Sequence, residues 1–499
     1  MKKYRFEIIL FVVNAVYMIL ELVASRVLSP YFGNSNLVWT SVIGIILLSS
    51  SIGNYIGGII ADKKEIVKRL KAILVFSFVS VIFIPFVETP IILAVSKIFT
   101  DIRIGAIIST ILLFFIPSLL VGVLSPVILK LKIDSIETAG KTSGKISAIS
   151  TVGGIIGTFF GGFYLIPNFG SVHILFVLAL VLLYLIPLVE CKLDKTSIIS
   201  IILITIVCLV IMAYNMDMNF ETGKLVLEKQ ENVGAVSYDT QYGRVLIYNT
   251  LENDEPVRML NIDSGYESAT FIEEEKRNDL VFEYTKYYDL MFNANIDIKD
   301  TLLIGGAGYS YPKHYISKNI DKNMDVVEID GEITEIAKEY FYLNDLIEEY
   351  NLDENKRLGL ITDDGRTYLN NNMKKYDAIL NDAFSGSSPA KTLTTKEAAE
   401  KIKGSLNENG VYLTNVISSL DGENSKFIKA IINTLKQVFK NVYVIPCKTI
   451  ETNAVQNNMV IASDDELKFD KSYQYVIEEN EIILTDDYCP VDTLIPERY

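Results

Sequence analysis

Residues 302–310, LLIGGAGYS, place Gly305, Gly306 and Gly308 directly after a short apolar run, and DVVEID at 325–330 brings Glu328 and Asp330 to the end of the next. Glycine there lets the backbone bend sharply and approach a ligand closely. An acid about 20 residues further on is placed to accept from both hydroxyls of a ribose. Two later apolar runs end in Asp363, Asp364 and Gly365, and in Asn381 and Asp382. Carboxylates are seldom buried unpaired, so acids at the tips of successive strands are poorly explained by packing. They outline a cleft.

Such a cleft requires a scaffold that gathers strand tips. Strand-like TLLIGG, MDVVEID, LGLITDD, YDAILND and GVYLTNV alternate with helix-like EITEIAKEYF and TKEAAEKIKGSL. This alternation predicts a doubly wound, mostly parallel sheet with its ligand at the carboxyl ends of the strands. Upstream, AVSYDT, GRVLIYNT and VRMLNID read as short strands separated by turn residues.

The first 216 residues are different. Apolar runs near 6–27, 37–60, 70–88, 104–131, 146–167, 171–190 and 196–214 are each long enough to cross a bilayer, which predicts about seven spans. Residues 89–100 are too few to cross and read as an interfacial or re-entrant piece. The first run continues past signal-peptide length and is followed by further spans, so it is expected to remain as an anchor. Lys2, Lys3 and Arg5, then Lys63, Lys64, Lys68, Arg69 and Lys71, then Lys130, Lys132, Lys141 and Lys145 fall in alternate loops, which places those loops and the N-terminus in the cytoplasm.

The net charge of −15 is uneven: residues 1–220 sum to about +6 and the remainder to about −21. An acidic soluble half argues against nucleic acid as a partner and suits a cationic small substrate. Cys191, Cys208, Cys447 and Cys489 form no CxxC pair, and His173 and His314 are too few for a histidine-based metal site, so no metal is expected.

The succession LLIGGAG, VVEID, DDGRTYL, YDAILNDAF and LTTKEAAEKIKGSLNENGVYLTNV resembles the spermidine synthase family of aminopropyltransferases over roughly 235–499. The first half is similar to that of membrane-fused members of the family, through ELVASRVLSPYFGNSNLVWTS, GNYIGGIIADK and ISAISTVGGIIGTFFGGFYLIPNFG. The resemblance implies a transmembrane helical domain over 1–216, a linker and small β-strand subdomain over 217–285, and a Rossmann-like, methyltransferase-type catalytic domain over 286–499. It implies that Glu328 holds the ribose of S-adenosylmethionine or its decarboxylated form. Asp364 would accept from the adenine amino group, with Gly365 allowing the ring to approach. Gly305 and Gly306 would line the methionine end, Gly308 would belong to the same cofactor-binding turn, Asp382 would be the general base toward an attacking amine, and Glu267, Tyr284 and Ser385 would contact substrate. The reaction implied is attack on the carbon beside the sulfonium with release of methylthioadenosine.

The chain departs from the family pattern at four places. The usual GGGDGG turn has Gly308 for its aspartate, the DxxD pair is reduced to Asp382 with Ser385, the glutamine of LDGxxQ is Glu267, and the late PTYP-like turn is IPCKTIETNAV. A lyase or cyclase acting on intact S-adenosylmethionine without an acceptor, and a transporter that senses the cofactor, are the alternatives. The expected partners are a small amine or none, the lipid bilayer and a second copy in a homodimer. The expected location is a multi-pass protein of the cell membrane with its catalytic domain on the cytoplasmic side, although seven crossings from a cytoplasmic N-terminus would deliver it outside.

Within the spans, Glu21 and Arg26 are costly in hydrocarbon and call for partners, with each other or across helices. The glycines of VGGIIGTFFGG suggest close helix packing, and Pro117 and Pro126 suggest a kink. Asp62 is expected at a cytoplasmic helix end.

Overall fold

A computed structural model describes the chain apart from residues 1–3, 33–35, 100, 134, 191–197, 212–234, 264, 386–387, 450, 471, 473–481 and 497–499. It divides into two compact units, Met1–Leu225 with Val236–Arg244, and Val226–Ala235 with Val245–Tyr499.

The first unit is helical. Its long helices are α1 (Arg5–Phe32), α2 (Asn36–Ala61), α3 (Ile66–Ile98), α4 (Ile102–Lys132), α5 (Ala139–Phe160) and α6 (Ser171–Glu190); α5 is prolonged to Asn168 through a π-helical turn, Gly161–Leu165. Among the described residues, six helices are long and apolar enough to cross a membrane. The expected seventh span appears as a shorter apolar helix, α7 (Ile198–Ile211). Leu10, Leu20, Leu28, Leu74, Phe114 and Leu182 build the interior, while Leu47, Phe76, Phe83, Leu112 and Ile116 point outward at half exposure or more. A surface of this kind is stable against hydrocarbon and not against water.

Several sequence expectations are corrected in this unit. Residues 89–98 form no separate re-entrant piece. They complete α3, which runs unbroken through Pro85 and Pro90, because neighbouring helices can resupply the freed backbone groups. Pro117 and Pro126 lie inside α4, whose helical assignment is unbroken across them and leaves the expected kink untested. The described Arg26 guanidinium bonds point to carbonyls, not to Glu21: it donates to the oxygens of Thr240 and Gln241. The glycine stripe does pack closely, since a Cβ on Gly153 or Gly157 would lie 2.3 Å from the Phe11 oxygen or 2.5 Å from that of Ala15. Asp62 ends its helix in an ion pair with Lys130 at 2.9 Å. With Lys132–Glu7 and Lys71–Glu190, this pair joins the start of α1, the ends of α2, α4 and α6, and the start of α3 on one lysine-rich face.

The second unit opens with an antiparallel meander, β1 (Arg244–Glu252), β2 (Glu255–Ile262) and β3 (Gly265–Phe271). Asn253 and Asp254, both with positive φ, form the two-residue turn between β1 and β2, as hairpins of this length favour.

The main sheet has seven strands: β4 (Asp300–Ile304), β5 (Asn323–Glu328), β6 (Leu358–Thr362), β7 (Tyr376–Asn381), β8 (Leu406–Ser418), β9 (Asn441–Pro446) and β10 (Gln456–Ser463). Their order is β9-β10-β8-β7-β4-β5-β6. The pairs from β6 to β8 are parallel, and β10 runs antiparallel between β8 and β9. Helices α8 (Ser310–Lys318), α9 (Gly331–Tyr340), α10 (Gly365–Asn371), α11 (Lys396–Ser405) and α12 (Lys426–Lys436) connect and cover it. This is the mostly parallel, doubly wound sheet expected from the strand and helix alternation, and the Rossmann-like, methyltransferase-type sheet that the resemblance implies. The strand order reverses between β4 and β7, so their carboxyl ends open the crevice where such folds bind ligands.

Candidate functional site

The turn after β4 is held by the strand beside it. The Oε2 atom of Glu328 accepts from the backbone N–H groups of Gly306 at 2.8 Å and Ala307 at 2.9 Å, and Oε1 accepts from that of Asp330 at 3.1 Å. Glu328 is 8% exposed. Burial raises its pKa, and the three N–H donors oppose the rise. A carboxylate has about four acceptor positions, so the capacity left for a ribose hydroxyl lies on Oε1. Asp330 is the N-cap of α9 and accepts from Glu332 N–H at 3.0 Å.

Gly305 sits at φ 97°, and a Cβ there would meet the Asp382 carbonyl oxygen at 2.6 Å. Gly308 carries no positive φ, but its Cβ position is 2.7 Å from Ser268 Oγ and 3.1 Å from Phe341. The place where the family pattern has an aspartate is therefore filled from β3 and from the end of α9.

Asp364 caps α10, its Oδ1 accepting from Thr367 N–H at 2.8 Å, and the Asp363 side chain accepts from Asp364 N–H. Gly365 packs against Ile304 and Leu393, the nearest atom 2.5 Å from its Cβ position. Asp364 and Gly365 thus lie at the tip of β6, beyond the residues that line the cavity under the turn.

Asp382 follows β7. Its Oδ2 accepts from the Tyr284 hydroxyl at 3.1 Å, and its Oδ1 lies 3.5 Å from Asn415 Nδ2 on β8. Tyr284 belongs to the 3-10 segment Glu283–Asn293, where the buried Tyr288 hydroxyl also reaches the Asn381 carbonyl at 3.2 Å. Desolvation pushes the Asp382 carboxyl up to about 6, against the hydrogen bonds from tyrosine and asparagine. Burial, then the neighbouring Asp382 charge, raises Tyr284 far above the usual phenol range. At neutral pH the pair is a carboxylate held by a phenol, which is the state a general base requires.

One cavity joins the turn to Asp382 and Tyr284. Glu267, Ser268, Tyr284, Gly305, Ala307 and Asp382 are among its lining residues. Of the residues expected at the substrate end, Glu267 and Tyr284 are brought to it; Ser385 stands in a two-residue strand paired with Ser388–Pro389. Glu328 is not among the lining residues; it accepts from Gly306 and Ala307, which are. Sequence reasoning missed Asn415, Ser268 and Ser310. Asn415, a polar residue at the carboxyl end of an apolar strand, carried the same signal as Asp382; the serines carried none.

Residues 289–471 match the family model described as spermine/spermidine synthase domain. A polyamine aminopropyltransferase of Saccharolobus islandicus is 33% identical over 147 residues, 28% of this chain and 46% of that protein. A polyamine aminopropyltransferase of Vibrio vulnificus is 32% identical over 157 residues, 31% of this chain and 47% of that protein. The chain spans about half the length of the curated relatives it matches. Among solved structures, a probable spermidine synthase from Corynebacterium glutamicum has a TM-score of 0.40 at 20% identity, covering 46% of this chain and 81% of that one.

The C-terminal half thus carries a Rossmann-like sheet of the class the resemblance implies. In particular, residues 289–471 match the spermine/spermidine synthase domain model, and among the described residues six long apolar helices precede them and suggest an N-terminal membrane domain.

Proposed function

We propose that the protein is a membrane-bound transferase of the spermidine synthase type, in which an amine attacks the carbon beside the sulfonium of S-adenosylmethionine or its decarboxylated form. The observation that carries this reading is Asp382, a desolvated carboxylate hydrogen-bonded by Tyr284 in the same cavity as the 305–307 turn. Residues 1–216 serve as the anchor, 217–285 as linker and small β subdomain, and 286–499 as the catalytic domain. The close turn with Gly305 and Gly306 suits the tail of the donor, Glu328 Oε1 its ribose, and Asp364 with Gly365 its adenine. The bound donor supplies a sulfonium leaving group. Asp382 accepts the proton of the attacking amine, Tyr284 fixes the orientation of that carboxylate, and the buried surroundings exclude water. Methylthioadenosine release by the purified full-length protein, with and without added diamines and polyamines, tests this. Release that requires an amine is the expected result. Release without one would point to the lyase or cyclase, and binding without release to a sensor.

We further propose that the catalytic half lies on the non-cytoplasmic side, against the expectation of a cytoplasmic one. Two features of the helical unit support this. The Tyr184 hydroxyl on α6 lies 3.0 Å from Thr205 Oγ1 on α7. Tyr184 is six residues before the end of α6, and Thr205 seven after the start of α7. Such a contact fits a helix that turns back beside its predecessor. Beyond it, residues 239–241 meet the other end of the bundle, where Asp239 accepts from Ser171 N–H at 3.1 Å and Arg26 donates to Thr240 and Gln241. That end is opposite the lysine-rich face. An impermeant maleimide applied to intact cells is expected to label Met373→Cys, a 92% exposed site, above the wild-type background. Ile136→Cys, 94% exposed in a lysine-rich loop, should react only after permeabilisation. Equal protection of both would refute the external placement.

A further inference from the structure

We infer that Glu88 is a proton-binding site of the helical unit, loaded and unloaded through the end of the bundle where Asp239, Arg244 and His173 lie. The inference concerns the first unit alone and stands independently of the transferase reading.

Three observations carry it. Glu88 is 6% exposed, and its Oε2 has no hydrogen-bond partner among the described residues. It stands ten residues before the Ile98 end of α3, about 15 Å inside at the helical rise. An ionisable group at such a depth is costly unless it is paired, and it marks a proton or ion path by default. A proton on Oε2 removes the charge and turns the orphaned oxygen into a donor. Pro85 and Pro90 flank the residue and leave the carbonyls of Val81 and Phe86 without their helical donors, so the local backbone is rich in acceptors for that O–H.

The second observation is electrical. The charges that reach Glu88 come from outside α3, Arg244 first and then Asp239. Both belong to the segment Val236–Arg244 of the first unit. They approach each other at 3.5 Å, and Asp239 accepts from Ser171 N–H at the start of α6.

The third is His173, two residues further along α6. A Cβ on Gly170 would lie 2.6 Å from Asp239 Oδ2 and 3.3 Å from His173 Nδ1, and the buried His173 Nε2 has no partner among the described residues. Elsewhere around α3 such groups are sparse. Helix α4, packed against it, carries no titratable side chain between Arg103 and Lys130. Helix α6 adds Tyr184 and Glu190 toward its other end, and α1 carries Tyr17 and Glu21.

A proton suits this place better than a metal cation. Among the described residues no group of three His, Cys, Asp or Glu side chains could hold a metal ion, and the Arg244 charge repels a cation but not a neutral O–H. Loading moves one proton from water at that end to Oε2, and unloading returns it.

The test is labelling of the full-length protein in membrane vesicles with dicyclohexylcarbodiimide, an apolar reagent that adds to protonated carboxyls and takes the acid proton onto its own nitrogen. Peptide mass spectrometry then locates the adducts. An adduct on Glu88 that is abundant at acidic pH and lost as pH rises is expected, and Glu88→Gln should remove it. Asp239→Asn takes away a negative neighbour and should shift the half-labelling pH down; Arg244→Gln takes away a positive one and should shift it up. No adduct on Glu88, an equal adduct at every pH, or a half-labelling pH unmoved in both variants overturns the inference. Protection by sodium ions at constant pH overturns it in favour of a metal-cation site.

Discussion

Replacing Asp382 with asparagine is expected to lower methylthioadenosine release by about 10²–10⁴-fold, the range a positioned general base contributes, while nucleoside affinity stays within a few-fold of wild type. Asparagine retains an oxygen for the Tyr284 hydroxyl, now 3.1 Å from the carboxylate, but cannot take the amine's proton. Wild-type activity should also fall as pH drops through about 6, where burial places the Asp382 titration, and asparagine should remove that limb from the residual rate. Stability should move the other way. The folded-state pKa of Asp382 is raised above the ordinary carboxylate value, so the native state binds this proton more tightly than the unfolded chain. Its stabilising contribution is present at low pH and is lost as pH rises through the ordinary carboxylate range to about 6. At neutral pH the ionised group is a cost, and the asparagine variant should melt no lower than wild type. Unchanged release by a folded Asp382→Asn protein would remove Asp382 from the mechanism.

Gly305→Ala is expected to have the largest effect among substitutions that change no charge. The backbone stands at φ 97°, and the new Cβ would lie 2.6 Å from the Asp382 oxygen, 2.8 Å from its carbonyl carbon and 3.0 Å from Ala383 N. These are backbone atoms, which cannot rotate aside. A cost of about 2–4 kcal/mol is expected from combined strain and overlap, together with loss of adenosyl binding because the turn and Asp382, the proposed base, are displaced together. Gly404→Ala provides the contrast. It lies inside α11 with nothing within 4 Å of its Cβ position, and alanine there should stabilise by about 0.5–1 kcal/mol. Denaturant unfolding with parallel nucleoside binding separates the two; retention of wild-type affinity by Gly305→Ala would show that the close approach is dispensable.

Much of the scaffold was legible because its signals are periodic. The runs TLLIGG, MDVVEID, LGLITDD, YDAILND and GVYLTNV became β4 to β8, and the long apolar stretches became helices. The antiparallel β9–β10 edge was not foreseen, since the direction of a short apolar strand leaves no mark in its composition. Residues 89–98 were misread because Thr89, Pro90, Ser96 and Lys97 interrupt the hydropathy, whereas α3 continues through them. At the site, Gly305, Glu328 and Asp382 were visible because each stands at a strand tip and would be expensive elsewhere. Ser268 and Ser310 were not, because their role depends on β3 and α8 converging from positions 42 residues apart, whereas Asn415 carried the strand-tip signal and was passed over. Gly308 was noted as an absence of charge; its surroundings make it a matter of room, already occupied by Ser268 and Phe341.

The three backbone N–H groups that converge on Glu328 have a kinetic consequence. A glycine-rich turn left to itself loses much conformational freedom when a ligand orders it. Here the turn is already tethered to the neighbouring strand through Glu328, so that entropy is lost on folding and not on binding. Association with a nucleoside should therefore behave as encounter with a rigid surface: one kinetic phase, a rate linear in ligand concentration, and no slow isomerisation after capture.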